Sequence, residues 1–178
     1  LTPDLPIAIY MESTFGNPFG KMGYGILRFS QNPVVAIIDS TKAGKKAGEV
    51  MPKTPRPDCP IVATVSDAAA LGAKAVLLGC APSGGLIPES WYPALDQAVA
   101  AGLSLINGLH QRLGDRYRNL RPGQWIWDVR QEPSGIGVGT RSHDVQNHGG
   151  LQADTIRRAL EVVALGALAP HGFLDALL

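Results

Sequence analysis

Six short apolar runs, at residues 7–11, 34–38, 61–65, 75–78, 103–106 and 125–129, most constrain what this chain can fold into. They are mostly β-branched or aromatic and are bounded by Gly, Pro, Asn or Asp, so each is predicted to be a strand. Their hydrophobicity is continuous rather than alternating. A strand needs that only when both faces of its sheet are covered, and covered faces imply parallel strands joined by helical crossovers. The 21 glycines and 14 prolines point the same way. Together they are about a fifth of the chain against an ordinary share of roughly 12%, which favours many short elements over a few long helices.

The crossovers are visible between the runs. Residues 21–29 read as a short first helix, and Ser66 reads as the N-cap of a brief helix over 67–71 that Gly72 stops. Residues 88–101 form the clearest helix, with Trp91, Leu95 and Val99 on one face and Gly102 as its stop. Residues 42–60 carry Lys42, Lys45, Lys46, Lys53 and Arg56 among glycines and prolines and are expected to be a loop. Strand and helix alternate from about residue 5 to residue 130. The predicted class is therefore α/β, an open, doubly wound, mostly parallel Rossmann-like sheet with right-handed crossovers. Residues 1–135 are expected to form this domain, and residues 136–178 a linker and short helical C-terminal appendage with a helix around 154–168.

Charge and cysteine usage narrow the partners. Sixteen Lys and Arg against fifteen Asp and Glu leave a net charge of +1, so no global field recruits nucleic acid or an anionic membrane, and neither is expected as a partner. Cys59 and Cys80 are too few for a disulfide framework, which makes a reducing, cytoplasmic setting the expectation. The apolar start at 5–10 follows Asp4 rather than a basic region, unlike a signal peptide. No apolar run approaches the roughly 20 residues of a membrane span.

In an open parallel sheet, ligands sit beyond the carboxyl ends of the strands, so the loops there hold the candidate residues. The loop after the first run is glycine-rich and ends at Gly20 and Lys21, where free amides and an ammonium would suit an anion. Its spacing is neither G-x-G-x-x-G nor G-x-x-x-x-G-K-[ST], and a long structural turn is the competing reading. Asp39 closes the second run about 20 residues past Gly20, where a dinucleotide-binding fold places its ribose carboxylate, with Thr41 as a further donor. A turn cap explains the same residues. The lysines beyond Asp39 suit a second phosphate or a solvated loop.

After the fourth run, Ser83, Gly84 and Gly85 approach the clearest helix, where backbone amides and a hydroxyl would face a ligand. Asn107 and His110 offer an amide and an imidazole after the fifth run, a polar wall for a substrate or a general base, with a structural role as the alternative. Cys80 is read as a buried thiol, since nothing identifies an activating base. His143, Asp144 and His148 do not share one helical face, and no metal is expected. Trp125 and Trp127 fall on one side of their strand and read as core or interface.

The run Tyr24-Gly25-Ile26-Leu27-Arg28-Phe29, the stretch from Val34 through Thr41 with Ala43-Gly44-Lys45, the loop from Gly79 through Pro88, Leu105-Ile106-Asn107-Gly108-Leu109-His110 and the run from Gly135 to Thr140 together resemble one family. It is the N-terminal Rossmann-like half of the D-glutamate N-acetyltransferase-like family, long catalogued as a domain of unknown function. The resemblance spans about residues 5–140. It implies a two-part protein in which this domain precedes a P-loop domain, with acyl transfer to a D-amino acid in characterised relatives. It carries no catalytic residue onto this chain. After Thr140, where the family continues into a strand and a G-K-containing phosphate loop, the chain instead reads Arg141-Ser142-His143-Asp144, so the P-loop half is expected to be missing.

Three functions follow as expectations. The first is a nucleotide- or coenzyme-binding domain of an acyltransferase-like protein, with acetyl-coenzyme A or another adenine nucleotide held by Gly20, Lys21, Asp39, Thr41, Ser83, Gly84 and Gly85, and a small substrate near Asn107 and His110. The second is a non-catalytic assembly module forming a homo-oligomer. The third is an NAD(P)-binding oxidoreductase domain, which shares Asp39 but lacks the dinucleotide fingerprint.

Overall fold

The computed structural model describes residues 4–130. In chain order the elements are β1 (Ile7–Tyr10), α1 (Lys21–Phe29), β2 (Val34–Ile38), α2 (Ala47–Val50), β3 (Ile61–Val62), α3 (Val65–Ala70), β4 (Ala75–Leu78), α4 (Tyr92–Ala100), β5 (Ser104–Asn107) and β6 (Ile126–Asp128). Short 3-10 turns lie at Pro18–Gly20, Ser40–Lys42, Ser83–Gly85 and Glu89–Trp91. The strands form one sheet in the order β3-β2-β1-β4-β5-β6, and every pairing is parallel. All six expected strands are present, in the doubly wound arrangement.

The continuous apolar runs are explained by cover on both faces. Ile9 and Tyr10 are consecutive in β1 and so point to opposite faces. On the Ile9 side, α1 comes so close that a β-carbon on Gly23 would stand 3.2 Å from Ile9 Cγ2. On the Tyr10 side, the Tyr10 ring meets Trp91 edge to face at 5.4 Å, at the entry to α4. Every residue of β1, β4 and β5 is accordingly buried. Full burial of each large aliphatic side chain stabilises by about 1.5–3 kcal/mol, so these strands carry much of the fold.

Local chemistry departs from expectation in four places. The third helix is capped by Thr64, not Ser66: Thr64 Oγ1 accepts from the Asp67 N–H at 3.1 Å while Asp67 Oδ2 accepts from the Thr64 N–H at 3.0 Å. This reciprocal box satisfies two end donors at once, which Ser66 inside the first turn would not do. The clearest helix begins as a 3-10 turn, Glu89–Trp91, before α4 proper. The segment 42–60 is not a plain loop, since it holds α2 and seals the sheet edge. Ile61 donates to the Lys45 carbonyl and accepts from the Gly44 N–H, both at 2.9 Å. Arg56 Nε donates to the Leu27 carbonyl at 3.0 Å and Arg56 Nη2 to the Ser30 carbonyl at 2.5 Å, a cation on the carbonyl end of α1.

The fourth departure is the β5-to-β6 connection, which contains no helix. Its folding is organised by Asp128 instead, whose carboxylate accepts from the N–H groups of Leu113 and Gly114, both at 2.9 Å, and seats Leu113 in the core. The expected appendage, 136–178, with His143, Asp144 and His148, lies outside the described residues. Among the described residues no helix is long and apolar enough to cross a membrane.

Candidate functional site

The strand order reverses between β1 and β4, so the loops leaving these two strands part there, one toward each half of the sheet. Two backbone bonds join them at their roots: Ala81 N–H donates to the Phe19 carbonyl and Gly23 N–H to the Gly79 carbonyl, each at 2.8 Å. The start of α1 and the exit of β4 thus form one continuous rim at the carboxyl edge.

The glycine-rich loop after β1 is folded back on itself. Its centre is Tyr24, whose hydroxyl accepts from Gly16 N–H at 2.8 Å and lies 2.7 Å from the Asn17 carbonyl and 3.1 Å from that of Thr14. Burial, partly offset by the Gly16 and Asn17 contacts, pushes the Tyr24 phenol up to about 12. Gly20 is buried beside it. A β-carbon there would stand 2.7 Å from Met11 Cε and from Tyr24 Oη, and the Gly20 N–H already donates to the Asn17 carbonyl at 3.1 Å. Close packing therefore accounts for Gly20, while Lys21 begins α1 exposed. Tyr24 was not singled out as a site organiser, although its place between Gly23 and Gly25 signals a large side chain where the backbone runs close.

Asp39 is fully buried, and both carboxylate oxygens are taken. Oδ1 accepts from the Thr41 hydroxyl at 2.6 Å and the Thr41 N–H at 3.1 Å; Oδ2 accepts from Lys42 Nζ at 3.0 Å and the Phe15 N–H at 3.2 Å. Burial raises its pKa, but the Thr41 and Lys42 hydrogen bonds, the Lys42 charge and the Phe15 amide outweigh it and hold the carboxyl below the ordinary range. Asp39 and Thr41 thus close the turn Ser40–Lys42 and tie β2 to the β1 loop. The half-buried carboxylate at this corner is Glu12, which accepts from the Ser40 N–H at 2.9 Å and the Ser40 hydroxyl at 2.5 Å.

Ser83 and Gly84 are the open part of the rim. Both are exposed, Gly84 has φ +77°, and no atom stands within 4 Å of where its β-carbon would be. Gly85, at φ +68°, packs against the imidazole of His110, and the backbone N–H of His110 donates to the Gly85 carbonyl at 2.9 Å. The structure therefore brings Ser83, Gly84, Gly85 and His110 together and joins their rim to the entry of α1 through Phe19 and Ala81.

Asn107 faces inward. It is fully buried, its Nδ2 donates to the Gln111 carbonyl at 2.6 Å and to Asp128 Oδ1 at 2.7 Å, and its Oδ1 accepts from Leu109 N–H at 2.9 Å. It shapes the loop that presents His110. Gln111 completes this loop, accepting from Ile87 N–H at 3.2 Å and donating to the Tyr92 hydroxyl at 2.8 Å. Cys80 is the expected buried thiol, 3.1 Å from Thr14 Oγ1 and 3.3 Å from the Tyr10 carbonyl. Among the described residues no group of three His, Cys, Asp or Glu stands together to hold a metal.

An all-parallel six-stranded sheet with this order and a glycine-bearing rim at its switch point defines a Rossmann-like domain. The chain belongs to the family described as a domain of unknown function (DUF1611_N), Rossmann-like domain, whose profile matches residues 40–132, just over half of the chain. It is similar to a D-glutamate N-acetyltransferase of a Pseudoalteromonas species, 40% identical over 50 residues, which cover 28% of this chain and 15% of the relative. A D-glutamate N-acetyltransferase of Tritonibacter scottomollicae is 42% identical over 52 residues, covering 29% and 16%. Among solved structures, a DUF1611 family protein from Anabaena variabilis ATCC 29413 superposes with a TM-score of 0.67 at 38% identity, covering 77% of this chain and 40% of that one. The chain thus matches a minor part of each relative's length. It is a Rossmann-like domain related to D-glutamate N-acetyltransferase-like proteins.

Proposed function

We propose that this domain binds a nucleotide or coenzyme, acetyl-coenzyme A first among them, for an N-acyltransferase-like protein acting on a D-amino acid. The observation that carries this reading is the open Ser83–Gly85 turn at the switch point, joined through Ala81 and Phe19 to the start of α1. With no side chain at Gly84, a phosphate or pantetheine amide can approach the backbone there, and Lys21 at the start of α1 supplies a cation to the same rim. His110, held on Gly85, is placed to contact the acceptor substrate. The acetyltransferase relatives favour coenzyme A over NAD(P), as does the sealed Asp39, whose oxygens are taken by four protein donors.

A thermal-shift titration with acetyl-coenzyme A, ATP, NAD and NADP tests the reading. Acetyl-coenzyme A should raise the melting temperature, and Gly84→Trp and Lys21→Ala should each weaken the shift measured from that variant's own ligand-free melt. A well-folded melt unmoved by any of the four ligands would overturn it.

A further inference from the structure

Among the described residues four large apolar side chains are exposed: Phe19, Phe29, Leu71 and Leu86. They divide between the two edges of the sheet. Phe29 ends α1 and Leu71 follows α3, and a helix crossing over between parallel strands runs back against them, so both lie at the amino edge. Phe19 and Leu86 stand at the carboxyl edge, where an open parallel sheet receives its ligand. They flank the Ser83–Gly85 turn: Phe19 is bonded to Ala81 shortly before it, and Leu86 directly follows it.

Single exposed apolar residues are ordinary on a protein surface, but these two are held out by their neighbours. Asn17 Oδ1 accepts from the Phe19 N–H at 2.9 Å, the Phe19 carbonyl accepts from the Ala81 N–H at 2.8 Å, and buried Gly20 comes next. Leu86 lies between Gly85, whose carbonyl accepts from the His110 backbone N–H, and buried Ile87, whose N–H donates to Gln111 Oε1 at 3.2 Å. With the backbone fixed on both sides, Phe19 stays 55% exposed and Leu86 61%. A contact surface already fixed in place binds with little ordering cost.

The two side chains fit different chemistry. A phenyl face stacks on a planar base, and exposed Lys21, two residues on, offers an ammonium to phosphate. Leu86 has no ring to stack and adjoins Gly85, against which the His110 imidazole packs. In coenzyme A the diphosphate joins adenosine at one end to the acyl-carrying pantetheine arm at the other. Resting on the coenzyme-binding reading, we propose that the ligand lies along the rim in one direction, with adenine on Phe19, phosphates by Lys21 and the pantetheine arm over Gly84 to Leu86. The acyl group then ends beside His110. Phe19 selects an adenine coenzyme, and Leu86 seats its acyl arm.

NMR titration of the 178-residue chain with acetyl-coenzyme A and with its two halves, adenosine bisphosphate and acetyl-phosphopantetheine, tests the direction. The bisphosphate should shift the Phe19 and Gly20 amides, and acetyl-phosphopantetheine the Gly84 and Leu86 amides. Phe19→Ala should weaken acetyl-coenzyme A and the bisphosphate about tenfold each, the loss of one base stack, and leave acetyl-phosphopantetheine unchanged, while Phe19→Trp retains the affinity. Leu86→Ser should do the reverse, weakening acetyl-coenzyme A and acetyl-phosphopantetheine and sparing the bisphosphate. If acetyl-coenzyme A binds the parent chain but neither variant separates the halves, or the halves exchange places, the direction is overturned while coenzyme binding stands. Binding of the bisphosphate alone, lost in Phe19→Ala, keeps Phe19 as the adenine platform and overturns the coenzyme reading instead. A parent chain that binds none of the three overturns both.

Discussion

The His110 backbone N–H donates to the Gly85 carbonyl at 2.9 Å, and the His110 imidazole lies so close to Gly85 that an added β-carbon would stand 2.9 Å from Nε2. The loops after β4 and β5 are therefore fastened together through a residue that must lack a side chain. Gly84, the preceding residue, has an equally left-handed backbone but open space around it. The pair separates conformational strain from contact. Gly84→Ala should cost about 1 kcal/mol, the left-handed penalty alone. Gly85→Ala should cost roughly 1–2 kcal/mol more, since the imidazole must also move. Urea unfolding of both variants checks this; equal costs would mean that the contact is not felt.

Asp39 should govern the acid limb of stability. Its folded pKa lies below the unfolded value of about 3.9, so the stability it contributes is fully present above that pH and is lost as pH falls through the lower folded value. Asp39→Ala should destabilise by about 3 kcal/mol at neutral pH, because the Thr41, Lys42 and Phe15 donors lose a charged acceptor. Asp39→Asn should flatten the decline below about pH 4. Thermal melts between neutral and acid pH read both effects.

Both thiols should be inert in the folded protein. Burial pushes Cys59 up to about 11, the Arg56 charge opposing it, and pushes Cys80 up to about 12, the Thr14 contact opposing and the Asp39 and Glu12 charges adding. Thiolate is the reactive form, so a disulfide reagent at pH 8 should label neither residue until denaturant is added, when both react. Rapid labelling of Cys80 in the native state would show that the β1 loop opens.

The approach of α1 to the sheet should tolerate no added atom. A β-carbon on Gly79 would stand 2.5 Å from Ile9 Cγ2 and 3.0 Å from Gly23 Cα. Gly79→Ala is expected to cost about 1–3 kcal/mol through overpacking, with the helix displaced. Ile9→Ala removes the Cγ2 that the added carbon would strike and should recover part of that loss, a coupling that a double-mutant cycle measures.

The fold was legible to a large degree because its signals are local. A run such as Val34–Ile38 shows its length, its β-branching and its lack of alternation without reference to any other segment. The helix after Ser66 was legible in place but not in its cap, because Thr64 and Ser66 have the same chemistry and only the path of the backbone decides which hydroxyl reaches an end N–H. The β5-to-β6 connection was misread as helical because its order comes from Asp128, fourteen residues beyond the Gly114 amide it accepts. The candidate site was legible as a set of loops but not as a set of roles. Asp39, Asn107 and Asp128 are alike in sequence, each a polar residue closing an apolar strand, and all three turn inward to hold loops.

By itself the sequence determined the number of strands, their burial on both faces and hence a parallel, doubly wound sheet, because run length and hydrophobicity are properties each segment carries alone. The tertiary structure alone decided which polar groups remain at the surface of the rim. Asp39 and Asn107 are consumed because distant segments bring partners within about 3 Å of them, the Phe15 N–H and the Asp128 carboxylate, whereas Ser83, Gly84 and His110 stay exposed. A hydrogen-bonding side chain turns toward whatever partner the fold delivers, and that delivery depends on residues far away in the chain.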